Sequence, residues 1–587
     1  MAATGSNQTL AIVGLIHGNC MQQGLSMFLC PAHIVFAVTP HTSNAILEID
    51  NWFGRFFGGM AMLESIDLKK RLKKEDYERE KNRLADELMC LQQQCVSEKL
   101  PVVICVDGWG ASGKGTTISK LVKDLDPRSF RVYSMAAPTQ QERRYPFMTR
   151  YWERVGQHGT ITIFDRSWYG EAMKILMHDY PFPNKGKKGK APHPLLRDTG
   201  DFAVTGTGGT IGLYAESAHL FERQLINDGY LIIKCFFHVS KQAQKERIDK
   251  LCEDESTSWR VTDSDIRQNK HYDEYYPIID TLLERTNAAD SMWHLIPADN
   301  QRVRRIAFMQ AIADEMREAL ERKRLRDENP VKIPENFPLP HSRYTLLEAP
   351  DVEELSHSLA LDEQTYVEEL KQEQDKLSAL QMKLYHRGIP MMIVFEGWDA
   401  AGKGGAIKRV ASALDARDYR VVPSAAPTRE EKEHPFLWRY WKNLPKSGHV
   451  CIYDRSWYGR VMVERIEGFC TDEDWRRAFE EINDFEWEMY RSGTLVVKFW
   501  INVSQDEQLA RFNERKNNPE KAWKLTDEDW RNREKYPQYR QAINDMFRLT
   551  STNFAPWHYV ESDDKKYARI KVLKTINAAI EKRLKEK

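Results

Sequence analysis

The chain has 587 residues, 41% of them hydrophobic and 29% charged, with 86 basic side chains set against 86 acidic ones. That length exceeds what one hydrophobic core organises, so two domains of roughly 150 to 250 residues are expected. A formal net charge of zero excludes a global polyanion-binding surface, so no nucleic-acid partner is expected, and basic groups for any anionic ligand must be gathered locally.

Residues 1–60 come first. They are fairly apolar between Thr9 and Val38 but are interrupted by His17, Asn19, Pro31 and His33, and they lack the basic start and small-residue cleavage pattern of a targeting signal. They read as an extension foreign to the fold, with Met60 or Met62 as an alternative start. After Lys69 no apolar run reaches membrane-spanning length, so no membrane partner is expected. The nine cysteines form no CxxC pair, and Cys105 and Cys451 lie in apolar runs, which fits free thiols in a reducing, cytoplasmic setting.

From residue 68 onward one unit is written twice. A charged, helix-period segment at 68–100 returns at 361–384. VVICVDGWGASGKG, beginning at Val102, returns as MMIVFEGWDAAGKG at Met391. The same ungapped register carries AAPT from Ala136 to Ala425 and FDRSWYG at Phe164 to YDRSWYG at Tyr453, a displacement of 289 (454 minus 165). LIIKCFFHVSKQ at Leu231 matches LVVKFWINVSQD at Leu495, and WRVTDSD at Trp259 matches WKLTDED at Trp523, now displaced by 264 (523 minus 259). The difference places an insertion in the first copy between Gly170 and Leu220, where NKGKKGKAPHP and TGTGGTIG read as loop. The expected domains are 61–325, a Pro-containing linker at 326–350, and 351–587. Apolar runs alternating with helical patterns predict an α/β fold: two tandem P-loop kinase-like domains, each a parallel sheet sandwiched by helices.

In the second copy Gly397, Gly402, Lys403 and Gly404 form a glycine turn between a strand and a helix, the setting in which backbone N–H groups cradle phosphate oxygens. The Ser or Thr that usually follows the lysine and binds Mg2+ through its hydroxyl is Gly404 here and Gly115 in the first copy. Hard cations want oxygen ligands, so Asp399 and Asp454 are the candidate holders of Mg2+, with Mn2+ as a substitute. Arg455, Arg460 and Arg465 follow Asp454, and Glu464 lies four residues after Arg460. An exposed ion pair is the bland reading of Arg460 with Glu464. Beside a phosphate loop, forked guanidinium groups suit the clamping of phosphoryl oxygens. Lys408 and Arg409, one turn past the loop, are further phosphate contacts.

These residues resemble the type 2 polyphosphate kinase family, whose GxDxxGKG loop, APT segment and DRSWY element stand here at 397–404, 426–428 and 454–458. The two-copy arrangement resembles its polyphosphate:AMP phosphotransferase branch. The resemblance implies Mg-dependent phosphoryl transfer from inorganic polyphosphate to AMP, giving ADP. It implies that Asp399 and Asp454 organise the metal and that Lys403 and Arg455 contact phosphates. It also implies that Arg460, Glu464 and Arg465 belong to a lid. Gly459 stands where many single-domain members carry Asn. No catalytic histidine is expected, because an AMP phosphate is already ionised at neutral pH; His434 and His449 read as surface or structural residues.

The first copy keeps Gly108, Gly113, Lys114 and Asp165, but Gly110 replaces the loop aspartate and Glu171 the lid arginine, so it reads as catalytically silent. Lys185, Lys187, Lys188 and Lys190 read as a solvated loop, with leftover polyanion binding as the alternative. The rival functions are a kinase that uses ATP or polyphosphate on a nucleoside diphosphate or other small acceptor, and a non-catalytic polyphosphate- or nucleotide-binding scaffold. Homo-oligomerisation is left open.

Overall fold

The computed structural model describes residues 26–30, 33–37, 62–179, 209–330, 333–334, 337–355, 359–520 and 522–586. Lys185, Lys187, Lys188, Lys190 and most of residues 1–60, Met60 included, lie outside the described residues. The chain divides into two units, 1–65 and 66–587. In the smaller unit, β1 (Ser26–Cys30) pairs antiparallel with β2 (His33–Ala37).

The larger unit holds the repeat. Its first copy supplies β3 (Val102–Gly108), β4 (Phe130–Ser134), β5 (Ile161–Asp165), β6 (Leu231–His238) and β7 (Trp293–Pro297), in the order β4-β5-β3-β6-β7. The second supplies β8 (Met391–Gly397), β9 (Tyr419–Pro423), β10 (Val450–Asp454), β11 (Leu495–Asn502) and β12 (Trp557–Glu561), in the equivalent order β9-β10-β8-β11-β12. Every pairing in both sheets is parallel. Central strands β3, β6, β8 and β11 are buried almost throughout because helices cover both faces, which is why they read as continuous apolar runs without alternation.

In each copy the leading helix, Lys74–Ser97 or Glu363–Arg387, lies along the closing helix, Gln301–Glu328 or Lys565–Lys585. Gln301–Glu328 runs three residues into the segment read as linker, since no helix breaker precedes Asn329 and Pro330. Part of the inferred insertion, 180–208, lies outside the described residues. The preceding segment differs between the copies: Trp168–Asp179 is a single α-helix, whereas the second copy breaks into a 3-10 turn, Trp457–Val461, and a short helix, Val463–Glu467.

The copies pair through equivalent residues. Trp152 and Trp441, 289 positions apart, stack with ring centroids 5.5 Å apart. The amide of His158 donates to the Glu433 carbonyl at 3.0 Å, and the amide of Ser447, the counterpart of His158, donates to the carbonyl of Arg144, the counterpart of Glu433, at 2.7 Å. Such reciprocity marks an approximate two-fold relation, normally made by two chains and here made within one. No helix among the described residues is long and apolar enough to cross a membrane.

Candidate active site

Parallel α/β sheets place ligands at the carboxyl ends of their strands. In the second copy β8 and β10 are neighbours, and both end there in loops. Gly397 closes β8 at φ 150°, and a Cβ on it would lie 2.3 Å from the Ile501 carbonyl oxygen, so only glycine fits. Gly402, at φ 110°, starts the Lys403–Ala411 helix. Trp398 fixes the loop between them by stacking on Tyr536 and donating its indole N–H to Asn502 at 2.9 Å. The Lys403 ammonium donates to the carbonyls of Gly397 (2.6 Å) and Trp398 (3.0 Å). Burial holds its pKa below the usual lysine range, against the pull of Asp399 and Asp454. Around Gly404 a Cβ would meet nothing within 4 Å, so the missing hydroxyl leaves open space beside the lysine.

The DRSWY element is pinned at three points. Arg455 has a left-handed backbone, φ 62°, a strained choice for a side-chain-bearing residue and one shared by Arg166 at φ 68°. Its Nη2 donates to Asp399 Oδ1 at 3.0 Å, which joins the two loops. Ser456 Oγ donates to Glu396 Oε1 at 2.8 Å, and burial raises the pKa of that carboxyl. Trp457 Nε1 and the Tyr458 hydroxyl donate to Glu486 at 3.1 and 2.7 Å, and Glu486 is paired with Lys498 at 2.7 Å, both side chains fully buried. The two aromatics therefore root the segment in a buried ion pair while Asp454 and Arg455 remain at the strand end. The first copy repeats this with Trp168, Tyr169, Glu222 and Lys234.

Two groups that spacing did not reveal complete the loop's surroundings. Asn532, on the Asp527–Glu534 helix, donates to Asp399 Oδ2 at 2.8 Å and accepts from the Tyr539 hydroxyl at 3.1 Å. Gln508 donates to the Asp399 carbonyl at 3.1 Å. The available signal was the capping box of Thr526 and Asp529 inside WKLTDED, which marks that helix start but not what it touches.

The other sequence candidates separate. Arg460 pairs with Glu464 at 2.9 Å and lies over Phe436, so the ion-pair reading describes its present partner. Burial raises the Glu464 pKa. Arg465 pairs with Asp545 at 3.0 Å and stacks on Trp475, and its short helix packs against the Asp472–Arg491 and Tyr536–Thr550 helices. Lys408 is exposed, and Arg409 donates weakly to the Gly405 carbonyl. His434 is buried against Trp438, and His449 lies by Asp418 at 3.4 Å.

Among the described residues no group of three or more His, Cys, Asp or Glu could hold a metal. Mg2+ needs only one or two carboxylates when substrate phosphates and water fill its other positions. The Asp454 carboxylate has no hydrogen-bond or ion-pair partner among the described residues, and each Asp399 oxygen, having accepted one bond, keeps a lone pair. The donor set therefore fits a cation shared with phosphate.

The first copy differs at the corresponding positions. A Cβ on Gly110 would lie 2.3 Å from Asp265 Oδ1, so the space of the absent loop aspartate is filled from the Asp263–Lys270 helix. Glu171 is held by Arg150 and the Tyr151 hydroxyl, each at 3.1 Å, so its charge is compensated locally. Asp107, in the place of Glu396, is buried and its pKa is pushed up to about 6.

The family model for polyphosphate kinase 2 matches residues 71–188, 210–324 and 360–587. A polyphosphate:AMP phosphotransferase from Pseudomonas syringae pv. tomato is 37% identical over 522 residues, 89% of this chain and 98% of that one. An ADP-polyphosphate phosphotransferase from Rhizobium meliloti is 41% identical but aligns with only 37% of this chain and 76% of its own. A crystal structure described as polyphosphate kinase 2, from Pseudomonas aeruginosa PA01, superposes with a TM-score of 0.72 at 34% identity, covering 89% of this chain and 99% of that one. With both copies matched and a relative of the same two-copy length, the chain belongs to the polyphosphate kinase 2 family.

Proposed function

We propose that this chain is a cytoplasmic enzyme that transfers a phosphoryl group from inorganic polyphosphate to AMP, releasing ADP and a chain one phosphate shorter, and that the second copy performs the transfer. The observation that carries this reading is that the full two-copy length is shared with a relative named for AMP, whereas the relative named for ADP aligns with about one copy.

An oxygen of the AMP phosphate attacks the terminal phosphorus of the donor. The P–O bond to the next phosphate breaks, and the shortened chain leaves with the bonding electrons. The nucleophile is already ionised at neutral pH, so no general base is required. Lys403 and the loop amides hold the donor phosphates, and Arg455 offsets charge on the transferring group. Asp454, with Asp399, would hold Mg2+, which neutralises phosphate charge and aligns the reacting oxygens when bound. Asn532 and Arg455 fix the Asp399 carboxylate between them.

Purified protein with Mg2+ and polyphosphate should be offered AMP, GMP and ADP separately, with ATP as the alternative donor and products separated chromatographically. ADP formed from AMP and polyphosphate is the expected result; phosphoryl transfer from ATP alone would overturn the reading.

A further inference from the structure

The two DRSWY elements are joined by an unbroken run of buried rings. In the second copy Trp457 meets Phe485 edge-on with centroids 4.9 Å apart, and Phe485 meets Trp441 in the same way at 5.4 Å. In the first copy Trp168 meets Phe221 at 4.8 Å, and Phe221 meets Trp152 at 4.9 Å. The stack of Trp152 on Trp441 closes the run. None of the six side chains is more than 2% exposed. The Trp441 indole N–H has no hydrogen-bond partner among the described residues, so packing holds that ring in place.

The rings obey the approximate two-fold relation, but the charges beside them do not. The Asp472–Arg491 helix, which carries Phe485 and Glu486, also carries Asp484, whose carboxylate is fully buried. Arg223 of the first copy donates to that carboxylate, as do Arg343 of the linker and the Tyr344 hydroxyl, each of these two at 2.8 Å. Arg223 also pairs with Glu480 at 3.2 Å. The counterparts of Asp484 and Arg223 are Leu220 and Trp487, so this ion pair has no mirror image. Arg491 of the same helix pairs with Glu216 of the first copy at 2.9 Å, and its counterpart is the uncharged Asn227.

Phe485 and Glu486 are adjacent and both bear on Trp457, one by an edge contact and the other by accepting from its indole N–H. What fixes their helix therefore fixes the segment in which Asp454 and Arg455 stand. Buried rings pack at crystal density, so removing one lets its neighbours relax towards the void. We propose that Trp152 and Arg223 of the first copy are positioning residues for phosphoryl transfer in the second. Trp152 acts through Trp441 and Phe485, and Arg223 through Asp484, to hold Trp457 and with it Arg455. This rests on the second copy carrying the transfer. A displaced Arg455 loses stabilisation of charge on the transferring group, so the loss falls on kcat more than on KM.

The test measures ADP formation from AMP and polyphosphate, with thermal melts alongside, for Trp152→Leu, Trp152→Phe, Arg223→Met and a control, Phe308→Leu. Phe308 is as buried as Trp152 and lies in the first copy, but it packs on Phe237 outside the run. Trp152→Leu is expected to lower kcat about tenfold and to leave KM for AMP and for polyphosphate within about twofold. Arg223→Met leaves Asp484 with Arg343 and Tyr344, so it strands no charge, and it is expected to lower kcat about threefold with the same unchanged KM values. Trp152→Phe keeps a ring against Trp441 and should retain kcat within about threefold, and Phe308→Leu should melt earlier yet retain kcat within about twofold. A parent-like kcat in Trp152→Leu, or in Arg223→Met should Trp152→Leu fail to fold, would overturn the proposal. So would a shift confined to KM, or an equal fall in kcat in Phe308→Leu, which would assign the effect to stability. If the unaltered protein forms no ADP, the transfer reading fails and this inference with it; if ADP forms, Asp454→Asn abolishes it and the Trp152 and Arg223 variants match the parent, only this inference fails.

Discussion

Replacing Glu486 with Gln tests how the DRSWY segment is held. Glu486 and Lys498 are both fully buried, 2.7 Å apart, and burial drives their pKa values in opposing directions, the carboxyl up and the ammonium down. The pair exists because each charge compensates the other, and because Trp457, Tyr458 and the Thr550 carbonyl satisfy the remaining valences. Gln keeps the shape and an acceptor but strands the ammonium, which costs about 3 to 5 kcal/mol. Removing both charges, as Glu486→Gln with Lys498→Met, should recover most of that loss. Urea unfolding followed by fluorescence gives the stabilities, and ADP formation gives the activity. Because Trp457 and Tyr458 hang from Glu486, kcat should fall about tenfold or more in the single variant. The matching change in the first copy, Glu222→Gln, should destabilise to a similar degree and leave kcat within about twofold. A Glu486→Gln protein within about 1 kcal/mol of the parent would refute the claim that this ion pair seats the segment.

Gly404→Ser should be tolerated, with a melting temperature equal to or slightly above the parent's, since its Cβ meets nothing within 4 Å and Ser is the better helix former. Gly397→Ala should unfold the second copy or cost several kcal/mol by the same thermal melt, because its Cβ would lie 2.3 Å from a backbone oxygen. Gly110→Asp should not restore catalysis to the first copy when assayed in an Asp454→Asn background, because Asp265 already fills the space. Glu481, buried where the copies meet and bonded to Arg477 and Asn227, has its pKa pushed up to about 7 by burial. A raised carboxyl pKa gives stability that is complete below the ordinary carboxylate range and lost as pH rises through 7. Glu481→Gln should therefore be the more stable protein at pH 8, by about 1 to 3 kcal/mol, with that advantage shrinking towards pH 5 and gone by about pH 4 in urea titrations; an equal gap at pH 8 and pH 4 would count against it.

The fold was legible because duplication put each strand and loop on the page twice, and a buried parallel strand such as Val102–Gly108 is an unbroken apolar run. The loop and the strand-end aspartate were legible because their chemistry lies within a few residues. Contacts between distant positions were not. Asn532 reaches Asp399 across 133 positions, and Arg465 turns to Asp545 across 80, because neighbouring helices decide where those side chains point. Glu486 and Lys498 look like surface charges in sequence, one on a charged helix and one in a strand, and only their burial shows otherwise. Arg304 gave no signal at all: an arginine in a helix rich in charge is ordinary until its guanidinium is found under a phosphate loop.

The most direct measurement sets Asp454→Asn beside Asp165→Asn in the full chain, with ADP formation from AMP and polyphosphate as the readout. If the second copy carries the chemistry, Asp454→Asn lowers the rate by about a hundredfold or more while Asp165→Asn leaves it near the parent's. Loss of ADP formation in Asp165→Asn alone would place the working site in the first copy and contradict that assignment.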